Sequence, residues 1–212
     1  MHISSKNRSK ISVIITAGGT SKRFGSNKLL EKIGKKTVIQ TTVDKFLKHC
    51  DEIIIPAGSE IRLAVTKNPK VKFTQAGATR QESVYNALKA CTGADWVLIH
   101  DGARPYVDEK IIRNTIKEVQ LKNAVVVGVG AIDTVKICAP DGKILSTPKR
   151  ETVFYAQTPQ AFYFPTIFKV HQALATENFT DDASMMEFLG HEVFVIEGSY
   201  KNRKITTRED LR

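Results

Sequence analysis

The feature that most constrains the fold is a regular alternation of short apolar runs with amphipathic segments. The run over residues 11–17, rich in Ile and Val, predicts a buried strand, and further strands are predicted at residues 52–57, 71–75, 95–101 and 124–129. Helical spacing of apolar residues lies between them, at residues 37–50, 59–67, 80–90 and 108–121. Apolar strands that alternate with helices form parallel sheets covered on both faces, so the sequence predicts an α/β fold. Ligands of such sheets bind at the carboxyl ends of the strands.

Residues 132–147 interrupt this alternation. Two extended segments flank the sequence Pro-Asp-Gly-Lys at residues 140–143, which favours a tight turn. A two-stranded ribbon is unstable alone in water, so we expect this one to pack against another surface. The elements predicted beyond it are helices over residues 165–177 and 181–189, with Thr180 as N-cap of the second, and a strand over residues 191–196.

Length and composition exclude several classes of protein. The 212 residues fit a single domain, 1–212, that begins with a basic tail over residues 1–10 lacking the apolar core of a secretory signal. No apolar run approaches the ~20 residues of a membrane helix. The net charge of +10 permits nucleic-acid binding or small anionic substrates. The basic residues are dispersed and are not interleaved with aromatic ones, as a stacking surface for nucleic acid would require. The three cysteines are widely spaced, which favours a reducing compartment.

The loop after the first strand is one candidate site. Ala17, Gly18 and Gly19 let the backbone approach a ligand closely, and basic residues follow up to Lys28. Exposed N–H groups beside cations suit a polyphosphate, although the spacing matches neither a dinucleotide nor a Walker motif. The alternative is a flexible glycine turn with solvated basic residues.

Three further segments carry candidate polar groups. Asp101 and Arg104 follow the fourth strand, where they could bind substrate or metal or form a local ion pair that closes the loop. His100 lies in an apolar strand, which favours a buried histidine over a general base. Residues 77–83 lead into a helix and offer free N–H groups and the Ser83 hydroxyl, although Ser83 could simply be a helix residue.

Seven segments together resemble one family. AGGTSKRFG with Lys28, then GATRQES, HDGARP, AIDTVK, QTPQAF, TDDAS and NRKIT, occur in the order typical of 2-C-methyl-D-erythritol 4-phosphate cytidylyltransferases, across residues 11–211. The resemblance implies a Rossmann-like nucleotidyltransferase fold, with a mostly parallel sheet flanked by helices and a protruding β-arm at residues 132–151. It also implies a cytoplasmic homodimer that uses CTP, a polyol phosphate and Mg²⁺ bound mainly through the CTP phosphates, with no nucleic acid or membrane partner.

The resemblance also implies roles for individual residues. Those in catalysis are Arg23, Lys28, Arg150 and Lys204. Those matching the nucleotide site are Ala17, Gly18, Gly19, Gly77, Ser83 and Gly102. Those matching the acceptor site are Asp101, Arg104 and Thr158, with Thr134 and Arg150 reaching from the partner subunit's arm. No side chain is implied as a metal ligand.

Two alternative functions remain open from the sequence. One is a cytidylyltransferase for another polyol phosphate, such as ribitol 5-phosphate, because acceptor selectivity depends on a few hydroxyl contacts. The other is a non-catalytic nucleotide-binding domain. The presence of both Arg23 and Lys28 favours catalysis, since binding alone would not require two cations at the α-phosphate.

Overall fold

The computed structural model describes residues 9–18, 24 and 26–211. Its first elements are β1 (Ile11–Thr16), β2 (Lys32–Ile33), β3 (Lys36–Thr37), α1 (Val38–Phe46), β4 (Glu52–Pro56), α2 (Ser59–Ala64), β5 (Val71–Thr74), α3 (Arg80–Lys89) and β6 (Trp96–Asp101). Those that follow are α4 (Glu109–Lys122), β7 (Ala124–Gly130), β8 (Ile137–Cys138), β9 (Ile144–Ser146), β10 (Phe154–Tyr163), α5 (Phe164–Ala173), α6 (Asp182–Phe188) and β11 (Phe194–Glu197). Short 3₁₀ turns span Lys28–Leu30, Arg150–Thr152 and Arg208–Leu211.

Seven strands form the central sheet, in the order β11-β7-β10-β6-β1-β4-β5. All neighbouring strands run parallel except β10, which is antiparallel to both β6 and β7. The chain passes from β1 outward to β4 and β5 and then returns to the other side of β1 with β6. The topological switch point therefore lies between β1 and β6, where a ligand is expected.

Helices cover both faces of this sheet, as predicted. One face packs against α1, α2 and α4 through residues such as Phe46, Ile61 and Ile112. The other packs against α3, α5 and α6 through residues such as Leu88 and Ile167. Continuous burial of β1, β4, β6 and β7 explains why these strands carry uninterrupted apolar runs.

Strand β10 is absent from the predicted elements. Its middle carries Gln157, Thr158, Pro159 and Gln160, and proline normally argues against a central strand. The structure accommodates Pro159 in an irregularity, because the pairing with β7 shifts register between Ala156 and Gln160. A bulge of this kind can turn side chains toward a site, and here it brings Thr158 to the carboxyl end of β6, beside Asp101.

Helix starts follow side-chain caps. Thr37, Thr79 and Asp108 each accept a backbone N–H from the first turn of α1, α3 and α4. The prediction of Thr180 as N-cap of α6 is wrong by one residue. Asp181 is the cap, because its carboxylate accepts the Ser184 N–H at 3.0 Å and the Ser184 hydroxyl completes a capping box.

Boundary differences elsewhere are small. The predicted strand over residues 191–196 is β11, which begins three residues later, and the helix predicted over residues 165–177 is α5, which ends at Ala173. The predicted hairpin is present as β8 and β9, joined by a turn with Gly142 at φ 88°. None of the helices in the described part of the chain is both long and apolar enough to cross a membrane.

Candidate active site

Two adjoining clefts lie where the carboxyl ends of β1 and β6 meet. The first, of about 320 Å³, is lined by Thr16, Gly18, Lys28, Leu29, Ala78, Thr79, Arg80, Ser83, Asp101, Gly102, Ala103 and Lys204. The second, of about 280 Å³, is lined by Arg80, Asp101, Arg104, Ala156, Gln157, Thr158, Gln160, Thr180, Asp181 and Lys204. Three charged residues, Arg80, Asp101 and Lys204, therefore form a seam shared by both clefts.

A larger groove of about 420 Å³ lies elsewhere, between α1 and α2. It contains none of the residues predicted to act on substrate and is lined mainly by surface polar groups such as Lys36 and Gln40. The paired clefts, and not this groove, lie at the switch point of the sheet and carry a concentration of buried and charged side chains. They are the candidate active site.

Asp101 is the electrostatic centre of the seam. Its Oδ2 lies 3.0 Å from Lys204 Nζ and 3.2 Å from Arg104 Nε. Burial alone would raise the pKa of this carboxyl, but Lys204, Arg80 and Arg104 outweigh burial and hold the pKa of Asp101 well below its ordinary value. The local ion pair predicted as one interpretation of Asp101 and Arg104 is present and closes the loop. Both residues also line the second cleft, so binding of substrate there stays a prediction.

A chain of hydrogen bonds fixes the loop after β6. The Asp101 N–H donates to Thr158 Oγ1 at 3.0 Å, and that oxygen lies 3.0 Å from His100 Nδ1. His100 Nε2 lies 3.1 Å from the carbonyl oxygen of Arg104. Burial lowers the pKa of His100 to about 4, so the ring is neutral near pH 7, donating from Nε2 and accepting at Nδ1. His100 is therefore a buried, fully engaged histidine, as the sequence favoured.

The segment over residues 77–83 differs in part from its prediction. The Gly77 N–H donates to Ser83 Oγ at 2.9 Å, and the Ala78 N–H donates to Glu82 Oε2 at 2.6 Å. The Ser83 hydroxyl in turn donates to the Thr79 carbonyl at 2.8 Å. The N–H groups of Gly77 and Ala78 are therefore not free for a ligand, although Ala78, Thr79 and Ser83 line the first cleft.

Close backbone packing shapes the wall of the first cleft. The Gly102 N–H donates to the Thr16 carbonyl at 3.0 Å, and a Cβ on Gly102 would lie 2.7 Å from that oxygen. In the loop after β1, a Cβ on Gly18 would lie 3.1 Å from Ser83 Oγ on α3. Ala17 is buried just before it. These positions need small residues because the loops after β1 and β6 pack directly against each other and against α3.

Lys28 reaches the first cleft from a short 3₁₀ turn. The Asn27 side chain accepts the Leu29 N–H, and the buried Leu29 side chain anchors the turn in the core. The Lys28 side chain lines the cleft beside Gly18. The other predicted members of this loop, Gly19 and Arg23, lie outside the described residues.

Lys204 is held in place by its own segment. The Ile205 N–H donates to the Ala103 carbonyl at 2.8 Å, and Arg104 Nη1 donates to the Asn202 carbonyl at 2.8 Å. The buried Asn202 side chain donates to the Thr158 carbonyl at 2.9 Å. The C-terminal segment is thus tied to both β10 and the loop after β6.

The structure separates two predicted residues from the rest. Thr134 lies on the exposed ribbon and Arg150 lies in the 3₁₀ turn just after it, and neither lines the two clefts of its own chain. Arg150 Nη1 donates to the Ile132 carbonyl at 3.0 Å and so ties the base of the ribbon together. Gly77 supports the first cleft through Ser83 without lining it.

Arg80, Gln157 and Asp181 are among the cleft residues that sequence reasoning missed. Arg80 stood within the recognised segment GATRQES but looked like the first residue of a helix. Gln157 and Asp181 line the second cleft and are joined to the site by hydrogen bonds with Asn202 and Gln160. Their positions in QTPQAF and TDDAS were the available signal.

Two clefts with shared cationic residues suit an enzyme that brings two phosphate-bearing substrates together, which is the task of a nucleotidyltransferase. A family model described as IspD, 2-C-methyl-D-erythritol 4-phosphate cytidylyltransferase, matches residues 11–212. The chain belongs to this family.

Individual relatives agree with the family match. Proteins named 2-C-methyl-D-erythritol 4-phosphate cytidylyltransferase are 42% identical in Clostridium botulinum (strain Loch Maree / Type A3), covering 96% of this chain and 95% of the relative, and 39% identical in Clostridioides difficile (strain 630), covering 94% and 90%. The crystal structure of 4-diphosphocytidyl-2C-methyl-D-erythritol synthase from Anaerococcus prevotii superposes with a TM-score of 0.85 at 33% identity, covering 96% and 95%. The Francisella tularensis cytidylyltransferase gives a TM-score of 0.83 at 32% identity, covering 96% and 97%.

Proposed function

We propose that this chain transfers CMP from CTP to 2-C-methyl-D-erythritol 4-phosphate. The products are 4-diphosphocytidyl-2-C-methyl-D-erythritol and pyrophosphate, in non-mevalonate isoprenoid biosynthesis. The observation that carries the proposal is the seam of Arg80, Asp101 and Lys204 between two clefts. CTP occupies the first cleft, with its triphosphate at Gly18 and Lys28, and the acceptor phosphate enters the second cleft beside Arg104. The two phosphates meet at the seam.

The chemistry requires positioning and charge stabilisation. An oxygen of the acceptor phosphate attacks the α-phosphorus of CTP, and the bond from that phosphorus to the bridging oxygen of the β-phosphate breaks. Pyrophosphate leaves with the electron pair. A phosphomonoester has a second pKa of ~6 and is mostly ionised at neutral pH, so no general base is needed. This agrees with the buried, fully engaged His100.

Cations balance the charge that gathers during this step. Lys28 faces the nucleotide in the first cleft, while Arg104 and Lys204 face the acceptor phosphate. Asp101 orients both of these cations through its Oδ2. Fixed cations avoid reorganisation when charge shifts toward the leaving group, which is how such sites lower barriers. The loop with Arg23 supplies a further cation in this scheme.

The site suits Mg²⁺ carried by the triphosphate. The described part of the chain holds no group of three His, Cys, Asp or Glu residues that could bind a metal by itself. The carboxylate at the seam, Asp101, already pairs with Lys204 and Arg104. Phosphate oxygens of CTP are therefore the expected ligands, and the metal would neutralise charge on the triphosphate.

The test of the proposed reaction is pyrophosphate release from CTP with a panel of acceptors. The highest kcat/KM is expected with 2-C-methyl-D-erythritol 4-phosphate, and ribitol 5-phosphate and glycerol 3-phosphate are the comparisons. A preference for ribitol 5-phosphate would contradict the proposed acceptor. Nucleotide binding that falls steeply with salt, without pyrophosphate release from any acceptor, would instead indicate a non-catalytic binding domain.

The exposed ribbon supports a homodimer with shared sites. Four apolar side chains on it are more than half exposed: Ile132, Ile137, Ile144 and Leu145. Exposed apolar clusters on isolated ribbons are normally covered by a partner, and most such pairs of identical chains are two-fold symmetric. In this proposal each ribbon brings Thr134 and Arg150 to the second cleft of its neighbour.

Mixing two inactive variants tests the shared site. Lys28→Ala and Arg150→Ala are unfolded and refolded together, and pyrophosphate release is measured. If Arg150 acts in the partner's site, one site of each mixed dimer carries both defects and the other carries neither. Random pairing should then restore about a quarter of the wild-type sites. Persistent inactivity in a mixture shown to contain mixed dimers would refute the shared site.

We also propose that the protein is cytoplasmic. Cys50, Cys91 and Cys138 are unpaired, as expected in a reducing compartment. Burial raises the pKa of Cys50 and that of Cys91 to about 12, so both thiols are protonated near pH 7.

A further inference from the structure

Arg80 is a cation at the seam that the family resemblance does not single out. It is the first residue of α3. Like Asp101 and Lys204, it lines both clefts. We propose that Arg80 is a further catalytic residue, whose guanidinium contacts the α-phosphate as it passes from CTP to the acceptor. This proposal rests on the proposed function, because it assumes that a nucleotide α-phosphate reaches the seam.

A buried carboxylate orients this guanidinium. Arg80 Nη2 donates to Asp182 Oδ2 at 2.7 Å, and the Asp182 side chain is almost fully buried at the start of α6. The other carboxylate oxygen, Oδ1, lies 3.1 Å from Nε2 of the buried His171. A charged pair inside the protein is held in one geometry when further hydrogen bonds satisfy it. His171 and Asp182 therefore hold Arg80 toward the seam.

The state of Asp182 supports this orientation. Burial alone would raise the pKa of Asp182, but Arg80 and His171 outweigh burial and lower it to about 2. The carboxylate is therefore ionised at all pH values where the protein is expected to work. It anchors the guanidinium without competing for the cleft, because it lies behind Arg80 in the core and does not line either cleft.

The remaining donors of Arg80 are suited to a phosphate. A guanidinium has five N–H donors, and within the described residues the hydrogen bonds of Arg80 go to Asp182 only. Arginine commonly binds phosphate oxygens through two parallel hydrogen bonds. A guanidinium held on one edge and open on another can meet a phosphate without first becoming ordered. This preorganisation is what stabilises charge in a transition state.

A purely structural role is the competing explanation, since the pair with Asp182 also joins α3 to α6. Kinetics and stability separate the two roles. Arg80→Gln and Arg80→Lys are compared with wild type, and Arg113→Gln is the matched control. Arg113 is a surface arginine on α4 that pairs with Glu109 at 2.6 Å, outside both clefts. The melting temperature and the kcat and KM values for CTP and acceptor are measured for every variant.

A catalytic Arg80 predicts a loss in kcat. Arg80→Gln should lower kcat by ~10²–10³-fold, the usual effect of removing one preorganised donor. Arg80→Lys retains the charge but cannot hold Asp182 and a phosphate together, so its kcat should lie between those of wild type and Arg80→Gln. Arg113→Gln should match wild type. An unchanged kcat in either Arg80 variant, with a lower melting temperature, would overturn the proposal and indicate a structural ion pair.

The affinities for CMP and cytidine test the proposal independently of turnover. CMP carries the α-phosphate and cytidine lacks it, so the affinity for CMP divided by the affinity for cytidine measures the contribution of the phosphate contact. Calorimetry of the intact protein should give a smaller ratio for Arg80→Gln than for wild type, with cytidine affinity unchanged. If Arg80→Gln and wild type gave the same ratio, the proposed phosphate contact of Arg80 would be overturned, whatever the turnover of the wild-type enzyme. Absence of wild-type turnover with every acceptor would instead contradict the proposed function.

Discussion

Replacing Lys28 by alanine should lower kcat for pyrophosphate release by ~10²–10³-fold while changing the KM for CTP much less. The reason is that charge builds on the oxygens around the α-phosphorus only as the reaction proceeds, so a cation there binds the transition state better than the substrate. Lys28 is positioned for this by the Asn27 cap and the buried Leu29, which fix its turn at the mouth of the first cleft.

Lys36→Ala is the matched control for this prediction. Lys36 lies on β3, outside both clefts, and pairs with Asp44 at 2.6 Å. Its loss removes one positive charge from the protein without altering the active site, so kcat should be unchanged. A Lys28→Ala enzyme with normal kcat and only a raised KM for CTP would show that Lys28 binds the ground-state phosphate alone.

The fold could be predicted where burial alone determines the sequence. Strands β1, β4, β6 and β7 are covered on both faces, so their apolar runs identify them without knowledge of their neighbours. Strand β10 is equally central but could not be recognised in this way. Gln157, Thr158 and Gln160 are buried polar residues, satisfied by Asn202, Asp101 and Asp181 from distant parts of the chain. In the middle of β10, polar residues that hydrogen-bond within the candidate site therefore take the place of an apolar run.

The convergence of residues in the candidate site could be predicted as far as its loops carry recognisable segments. Gly18, Lys28, Asp101 and Lys204 converge as expected. The place of Arg80 in the candidate site could not be deduced, because its partner Asp182 lies 102 positions further along the chain. Only the folded structure shows that the ion pair with Asp182 joins α3 to α6 while Arg80 itself lines both clefts.

The engaged N–H groups of Gly77 and Ala78 bear on nucleotide choice. Gly77 donates to Ser83 and Ala78 donates to Glu82, so we expect backbone carbonyl oxygens, and not these N–H groups, to meet a base at this wall. Cytosine presents an amino group at the position where uracil presents a carbonyl oxygen. We therefore expect this wall to favour cytosine over uracil at that edge.

CTP should consequently be preferred over UTP by a kcat/KM ratio of ~10²–10⁴, since sites that hydrogen-bond a substrate group strongly reject analogues lacking it. Purine nucleotides should also react poorly, because the wall is tight where Gly18 approaches Ser83.

Glu82 allows a direct test of the cause of this preference. Glu82→Ala releases the Ala78 N–H, which can then donate to uracil, so the CTP to UTP ratio should fall. Glu82→Gln keeps an acceptor oxygen for that N–H and should retain the ratio. Equal kcat/KM values for CTP and UTP in the wild-type enzyme would contradict the cytidylyl specificity, whereas an unaltered ratio in Glu82→Ala would contradict this explanation of it.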